Sequence, residues 1–286
     1  MNAIIMAAGM SSRFVPISLE RPKGLLEVKG EVLIERLIRQ LKDAGVEDIT
    51  VVTGYKAQSF DYLREKFGVS LVYNEYYNLY NNTSSIICVI ERLENTFICC
   101  SDHYFNRNVF ADSTNVSYYA ARFAKGQTGE YCLTVDSKDF IKEVNIGGQD
   151  SWYMAGHAFF SDSFSRKFRE IMIQEYSKES VRKGYWEDVY IQHIKELPMQ
   201  VRRYSDSDLF EFDSLDELRE FDNSYVDDTR SIILKRICSR MLWKEQGLSR
   251  ILKIKMEENE AIFTLDYQGE TYQVLWTPIN LIIDKL

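Results

Sequence analysis

The chain has few of the residues from which disulfides and zinc sites are built. It contains five cysteines and three histidines among its 286 residues. The cysteines are odd in number and show no C-x-x-C spacing, which predicts buried free thiols in a reducing compartment. The histidines are scattered along the sequence, so neither residue type indicates a zinc site.

Long apolar runs and an excess of positive charge are also missing. No apolar run reaches the roughly 18 residues of a membrane span, and the N-terminal segment MNAIIMAAG is too short and too uncharged for a signal peptide. We therefore expect a cytoplasmic protein without membrane insertion. The net charge of −8 argues against nucleic acid as a partner and confines any polyanion site to a local cationic pocket.

The common phosphate-binding motifs are absent as well, since neither G-x-x-x-x-G-K-[ST] nor G-x-G-x-x-G occurs. Instead, an apolar run over residues 3–8 leads into Gly9, two hydroxyl residues, an arginine and, after Pro22, a lysine. Such a turn exposes several backbone N–H groups beside hydroxyls and two cations, which suits a triphosphate. We assign nucleotide contacts to Ala8, Gly9, Met10, Ser11 and Ser12, and catalytic charge to Arg13 and Lys23.

Strand and helix patterns alternate through the first half of the chain. Strands are predicted at 3–7, 48–53, 69–73 and 96–100, with helical spacing of apolar residues between them. This alternation predicts an α/β fold with a Rossmann-like, doubly wound, mostly parallel sheet. Ligands of such sheets lie outside the carboxyl ends of the strands, so the residues that follow the strands should meet at one edge.

The rest of the chain has a different pattern. Segments at 117–123, 130–136, 140–146 and 152–160 predict an antiparallel part, with a turn at Gly147-Gly148 and helices at 162–176 and 187–197. We place one domain over residues 1–225 and a small α+β appendage over 226–286, built from a basic helix and a hairpin at 261–267 and 271–276. The appendage is expected to serve packing or homodimer formation.

Carboxylates at two places could hold Mg²⁺. Asp102 follows the predicted strand at 96–100, on the edge of the sheet where ligands bind. Glu187 and Asp188 stand beside two aromatic residues in the segment YWED and would complete the set. The alternative interpretations are a turn-capping Asp102 and an acidic pair that stabilises a helix N-terminus.

Two further groups of side chains suit the organic parts of a substrate. The polar run 81–85 could read a base edge through Asn82, Thr83 and Ser84, or could simply cap a helix. A quaternary ammonium group is held by aromatic rings, since it donates no hydrogen bonds. Aromatic residues of the antiparallel part and of the YWED segment could form such a cage: Tyr131, Trp152, Tyr185 and Trp186.

Over residues 1–225 the chain resembles the bacterial CTP:phosphocholine cytidylyltransferases of the nucleotidyltransferase superfamily. The resemblance lies in MAAGMSSRFVP, RPKGLLEV, VYNEYYNLYNNTSSI, SDHYF, GYWEDVY and LFEFDSLDELREF. It implies that the opening turn holds the triphosphate, that Asp102 and Glu187 bind Mg²⁺, and that Tyr131 and Tyr185 belong to a choline cage. One departure is a serine where many relatives have a second glycine, which predicts a stiffer turn.

The resemblance implies a reaction in which CTP and phosphocholine give CDP-choline and pyrophosphate. Acceptors left open are 2-aminoethylphosphonate, phosphoethanolamine and a sugar 1-phosphate. A primary amine would need carboxylates or carbonyls near the aromatic site, and a sugar would need several polar side chains. A nucleotide-binding regulatory module without catalysis is an alternative of another class. The appendage faintly resembles a choline-kinase-type lobe and would be a remnant of one, since it lacks a glycine-rich phosphate loop.

Overall fold

The alternating strands and helices expected from the sequence are present in the computed structural model, which describes residues 1–111 and 115–286. The strands, numbered in chain order, are β1 (Asn2–Ala7), β2 (Glu27–Val28), β3 (Glu31–Val32), β4 (Asp48–Thr53), β5 (Ser70–Tyr73), β6 (Thr96–Cys100), β7 (Tyr104–Phe105), β8 (Tyr118–Val135), β9 (Ile141–Phe160), β10 (Gln200–Arg203), β11 (Leu209–Phe210), β12 (Leu248–Glu257), β13 (Glu260–Tyr267), β14 (Glu270–Trp276) and β15 (Leu281–Lys285).

The α-helices are mostly short. They are α1 (Ile17–Glu20), α2 (Leu33–Asp43), α3 (Tyr62–Phe67), α4 (Asn82–Cys88), α5 (Asp162–Glu175), α6 (Glu179–Lys183), α7 (Trp186–Gln192), α8 (Leu215–Phe221), α9 (Ser224–Asp227) and α10 (Ile232–Met241). Across the described residues, none of these helices combines the length and the apolar character needed to cross a membrane.

The chain packs as two compact units. The first unit contains residues 1–9 and 34–210, and the second contains residues 10–33 and 211–286. The opening motif is therefore divided, because Gly9 ends one stretch of the first unit and Met10 begins the second unit. The predicted domain boundary after residue 225 stays a prediction, and so does the homodimer.

One seven-stranded sheet organises the described part of the first unit, in the order β10-β8-β9-β6-β1-β4-β5. Strand β1 pairs in parallel with β4 and with β6, and β4 pairs in parallel with β5. Strand β9 runs antiparallel to both β6 and β8. This confirms the predicted Rossmann-like α/β fold with an antiparallel part, and parallel strands buried on both faces explain the near-continuous apolar runs of the sequence.

The antiparallel part is one long ribbon rather than four short strands. The segments predicted at 117–123 and 130–136 merge into β8, and those at 140–146 and 152–160 merge into β9. The predicted turn at Gly147-Gly148 is wrong, because both glycines lie within β9. Gly147 has a φ of +82°, and the ribbon changes register several times near it, so the glycines serve bulges in a bent ribbon.

In the second unit, β12, β13, β14 and β15 form an antiparallel sheet in that order. The predicted hairpin is confirmed, since β13 and β14 pair from Ala261 with Trp276 to Tyr267 with Glu270. Its turn residues Gln268 and Gly269 both have positive φ, as a two-residue hairpin turn requires. The outer strands β12 and β15 were not predicted from the sequence.

The core of the first unit encloses a histidine. His157 is fully buried, and its Nε2 lies 3.1 Å from the Tyr118 hydroxyl. Its ring stacks on Phe97 and meets Phe105 and Phe110 edge to face. Burial, with a smaller contribution from the nearby His103, lowers the pKa of His157 to about 3, so the core holds it neutral.

We predict that His157 makes the fold acid-sensitive. Because the unfolded chain binds a proton near pH 6.5 and the folded chain does not until about pH 3, stability should fall as the pH drops through this window. In wild type, the free energy of unfolding should decrease by about 1 kcal/mol per pH unit between pH 6.5 and 4.5 from this group. The measurement is urea unfolding of wild type and His157→Phe across that range, and the variant should lose this part of the slope.

The control is His193→Gln, which changes a histidine that lies outside the core. It should keep the wild-type slope. Equal slopes for wild type and His157→Phe would contradict the burial of a neutral imidazole.

Candidate active site

A cavity with both polar and apolar lining residues lies at the carboxyl ends of β1 and β5. It has a volume of about 140 Å³. Three of the predicted nucleotide residues line it, together with six residues that the sequence analysis did not assign: Ala8, Gly9 and Asn82, with Met6, Asn74, Tyr77, Tyr80, Asn81 and Ser85. Asn74 directly follows β5, so the rule that ligands lie beyond strand ends could have found it.

A glycine makes room for this cavity. Gly54 follows β4, and a Cβ atom at this position would lie 2.5 Å from Cβ of Tyr77 and 2.9 Å from the carbonyl oxygen of Ala8. Both neighbours line the cavity. The close approach of the Tyr77 side chain and the Ala8 carbonyl to this residue therefore requires glycine.

The polar run 81–85 forms the start of helix α4. Asn81 caps the helix, and its side chain accepts a hydrogen bond from the amide of Asn82. Thr83 and Ser84 are buried, which makes direct contact with a base a poor fit. The Thr83 hydroxyl donates to the carbonyl of Val181, and the Ser84 hydroxyl donates to the carbonyl of Asn81. These two side chains stabilise the helix start, as the capping interpretation expects.

Asn82 joins the starts of two helices. Its Oδ1 accepts a hydrogen bond of 2.7 Å from the amide of Trp186, and its Nδ2 donates to Oε2 of Glu187 at 3.1 Å. The amide side chain thus positions the YWED segment. Asn82 also lines the cavity. A nucleotide in the cavity could therefore contact a side chain that is also hydrogen-bonded to the start of helix α7.

Glu187 is a carboxylate in a poorly hydrated position. Its Oε1 accepts a hydrogen bond of 2.8 Å from the Tyr119 hydroxyl, and Oε2 accepts from Asn82. Burial raises the pKa of Glu187 to about 7, against the lowering effect of its hydrogen bonds. A cation close to this carboxylate would therefore be strongly favoured.

Asp188 connects two of the predicted aromatic residues. Its Oδ1 accepts a hydrogen bond of 2.9 Å from the Tyr131 hydroxyl, and its Oδ2 accepts one of 2.8 Å from the backbone amide of Tyr185. Burial, followed by this bond to Asp188, raises the pKa of Tyr131 to about 12. Tyr185 is 46% exposed. The structure thus brings together two tyrosines and a carboxylate, an arrangement that suits an ammonium group.

The two tryptophans are placed differently. Trp186 is 1% exposed, and its ring stacks on Tyr119 and meets Phe160 and Phe168 edge to face in the core. This burial argues against direct contact between Trp186 and an acceptor. Trp152 is partly buried and packs on Phe123, with the guanidinium of Arg203 above its ring.

Asp102, one of the predicted metal ligands, belongs to a group of side chains that could hold a metal ion. Asp102 lies with Cys100 and His103, and their candidate ligand atoms are all within 4.8 Å of one another. Within the described residues, this group contains neither Glu187 nor Asp188. Asp188 accepts hydrogen bonds from the Tyr131 hydroxyl and the Tyr185 amide, and the second of these agrees with the helix-start interpretation of the acidic pair.

In the second unit, both predicted catalytic cations pair with carboxylates. Arg13 lies 2.6 Å from Asp213, and Nζ of the buried Lys23 lies 3.4 Å from the same carboxylate and 3.8 Å from Glu211. Glu211 and Asp213 were not predicted as site residues from the sequence. Their spacing of two residues in the segment LFEFDS, which puts both side chains on one side of extended backbone, was an available signal.

The turn between Gly9 and Arg13 is strained at one serine. Ser11 has a φ of 48° and a ψ of 46°, the left-handed region that glycine adopts most easily. Ser12 begins a short 3₁₀ helix, Ser12–Phe14. The stiffness expected from the missing second glycine therefore has a structural basis in this backbone conformation.

A doubly wound sheet whose first strand leads into a turn with two cations is the architecture of a nucleotidyltransferase. Residues 3–139 match the family model of the MobA-like NTP transferase domain. The chain is 36% identical over 229 residues to the 2-aminoethylphosphonate cytidylyltransferase of Lancefieldella rimae, covering 79% of this chain and 93% of the relative. It is 31% identical over 222 residues to the choline-phosphate cytidylyltransferase of Streptococcus pneumoniae, covering 78% and 97%.

A solved structure agrees with these relatives. The CTP:phosphocholine cytidylyltransferase LicC from Streptococcus pneumoniae matches with a TM-score of 0.75 at 30% identity, over 78% of this chain and 98% of that one. The chain therefore belongs to the family of bacterial cytidylyltransferases that includes these enzymes. The family resemblance and the enzyme class predicted from the sequence are confirmed.

We predict that Gly54→Ala damages the cavity. The added methyl group must displace Tyr77 or the Ala8 carbonyl, which should lower the free energy of unfolding by about 1 to 3 kcal/mol and weaken CTP binding at least about fivefold. Urea unfolding and calorimetric titration with CTP measure the two effects.

Gly129→Ala is the matched control, because a Cβ there meets no atom within 4 Å. This control should match wild type in both measurements. A Gly54→Ala protein that is as stable as the control and binds CTP equally well would contradict the close approach.

Proposed function

We propose that this cytidylyltransferase transfers the cytidylyl group of CTP to 2-aminoethylphosphonate and releases pyrophosphate. The observation that carries the choice of acceptor is the Asp188 carboxylate, held at once by the Tyr131 hydroxyl and the Tyr185 amide. Each carboxylate oxygen keeps a lone pair after these bonds. The group can therefore accept a further hydrogen bond from an ammonium group.

The balance of aromatic rings and carboxylates favours a primary ammonium. A primary ammonium donates hydrogen bonds, whereas a trimethylammonium donates none and depends on rings. Of the four aromatic residues predicted for a choline cage, Trp186 is in the core and Trp152 is engaged by Arg203. Two tyrosines then remain around a carboxylate. The 36% identity to an enzyme named for 2-aminoethylphosphonate supports the same acceptor.

Phosphocholine is the second candidate, and specific observations support it. The rings of Tyr131 and Tyr185 could face a quaternary ammonium, and the Asp188 carboxylate would complement its charge. The relatives from Streptococcus pneumoniae carry choline-phosphate or phosphocholine in their names.

The transfer itself needs positioning and charge neutralisation more than covalent chemistry. An oxygen of the acceptor phosphonate attacks the α-phosphorus of CTP, a new P–O bond forms, and the bond to the leaving pyrophosphate breaks. The attacking oxygen is already ionised at neutral pH, so no general base is required. Ser12 and Arg13 would bind the outer phosphates, and Lys23 would stabilise charge on the leaving oxygen.

We propose Mg²⁺ as the metal and Asp102 as the protein residue that holds it. Mg²⁺ in phosphoryl-transfer sites is bound by one or two carboxylates plus substrate phosphates, so a single carboxylate next to the sheet edge fits this donor set. Cys100 is a soft donor that does not suit Mg²⁺. The ion, when bound, would neutralise charge on the reacting phosphates. Glu187, with its raised pKa, adds a carboxylate that gains from a nearby cation.

The acceptor assignment predicts a selectivity that one substitution should change. With CTP, wild type should release pyrophosphate with a kcat/KM at least about tenfold higher for 2-aminoethylphosphonate than for phosphocholine. Asp188→Asn should lower kcat/KM about 10- to 100-fold for 2-aminoethylphosphonate and less than about threefold for phosphocholine, because only the primary ammonium loses a charged hydrogen bond.

Asp206→Asn, at an exposed aspartate, is the control and should leave both values unchanged. A wild-type preference for phosphocholine would replace the first acceptor by the second candidate. Absence of pyrophosphate release with either acceptor would refute both.

The proposed stabilisation of the leaving oxygen by Lys23 predicts a large loss of kcat when its charge is removed. Lys23→Met should lower kcat at least about 100-fold, because it removes a buried positive charge that no water can replace. Steady-state kinetics with saturating CTP measure it, and circular dichroism checks the fold. Lys244→Met, at an exposed lysine of the same unit, should behave as wild type. A kcat of Lys23→Met within about fivefold of wild type would exclude the catalytic role.

A further inference from the structure

A lysine of the C-terminal sheet lies against the triphosphate turn. Nζ of Lys253 in β12 donates a hydrogen bond of 2.9 Å to Oγ of Ser12. The same strand makes a second contact, since the Ser18 hydroxyl lies 3.6 Å from Sδ of Met256. All four residues belong to the second unit. The C-terminal sheet thus packs along the segment that follows Gly9.

The strand is irregular at this lysine. Lys253 pairs with Phe263, but the next paired residue is Lys255 with Ile262, so the register shifts between the two lysines. A bulge leaves one residue unpaired and redirects the neighbouring side chains. Ile254, the residue at the shift, is 55% exposed. Because of this register shift, the side chains of Lys253 and Lys255 do not follow the regular alternation between the two faces of the strand.

Among the described residues, Lys253 has no carboxylate partner that would balance its charge. Arg13 and Lys23 pair with Asp213, so these cations are balanced within the unit. In the described part of the chain, the polar partner of Lys253 is the neutral Ser12 hydroxyl. Next to the turn that we assign to the triphosphate, this leaves an ammonium group with two further N–H donors.

The direction of this hydrogen bond also leaves the Ser12 hydroxyl able to donate a hydrogen bond of its own. Because Ser12 Oγ accepts the hydrogen bond from Lys253, the hydroxyl hydrogen of Ser12 remains available to donate to an acceptor such as a phosphate oxygen. A bond from a charged donor polarises the hydroxyl and strengthens its own donation.

We propose that Lys253 is a nucleotide-binding residue that contacts the outer phosphates of CTP together with Ser12. This inference rests on the proposed function for the role of Ser12. It assigns a substrate contact to the C-terminal sheet, beyond residues 1–225 over which the family motifs run. The sheet then completes the phosphate site.

Two substitutions and a matched control test this contact by calorimetric titration without an acceptor. Lys253→Met, which keeps the apolar stem, should weaken binding of CTP and of pyrophosphate about tenfold and leave binding of CMP within twofold, because CMP lacks the outer phosphates. Lys253→Arg, which keeps the charge, should restore CTP binding to within about threefold of wild type. Lys255→Met should change nothing, because Lys255 pairs with Glu257 and Glu260.

Kinetics give an independent measurement. Lys253→Met should raise the KM for CTP about tenfold, with kcat and the KM for the acceptor within twofold of wild type. Lys253→Met binding CTP and pyrophosphate as tightly as wild type would overturn the proposal, as would equal weakening of CTP and CMP. A wrong choice of acceptor would give a different result: wild type would bind CTP in the titration but release no pyrophosphate with 2-aminoethylphosphonate.

Discussion

The parallel pairing of strand β1 with β4 and β6 is the constraint on which the first unit depends. Residues Asn2 to Met6 pair with a strand on each side, and the parallel direction brings the ends of neighbouring strands to one edge. Gly9, Gly54 and Asp102 follow these strands in sequence. Reversal of one strand would remove its loop from this edge, so the position of the candidate site follows from strand direction.

Polar groups near the site are satisfied by residues far apart in sequence. Asn82 supports both the backbone of Trp186 and the carboxylate of Glu187, and Asp188 holds Tyr131 while closing the first turn of α7. A buried carboxylate without such partners would be costly. These bonds fix the YWED segment, so the acidic residues have a structural role that is compatible with binding a cation.

In the second unit, a buried charge is stabilised by ion pairs. Lys23 is buried, and it is stable there because Asp213 and Glu211 lie within ion-pair distance. Arg13 shares Asp213. The carboxylates hold the two cations in defined positions, and β12 adds Lys253 at Ser12. Residues from both ends of the chain thus build one cluster.

The features that depend on local periodicity could be predicted from the amino-acid sequence. The buried strand before Gly9, the doubly wound sheet, the cap at Asn81 and the hairpin turn at Gln268-Gly269 follow from the spacing of apolar and turn residues. The motifs also led to the cytidylyltransferase family. Local patterns do not contain the direction of a side chain, so they could not predict that Thr83, Ser84 and Trp186 are buried.

The contacts between side chains that are distant in sequence could not be predicted and became visible in the folded chain. Tyr131 reaches Asp188 across 57 positions, Lys23 reaches Asp213 across 190, and Lys253 reaches Ser12 across 241. The bent ribbon, with its bulges at glycines, determines the first contact, and the packing of the C-terminal sheet determines the last. Such contacts depend on how whole elements pack against each other, and no short stretch of sequence encodes that packing.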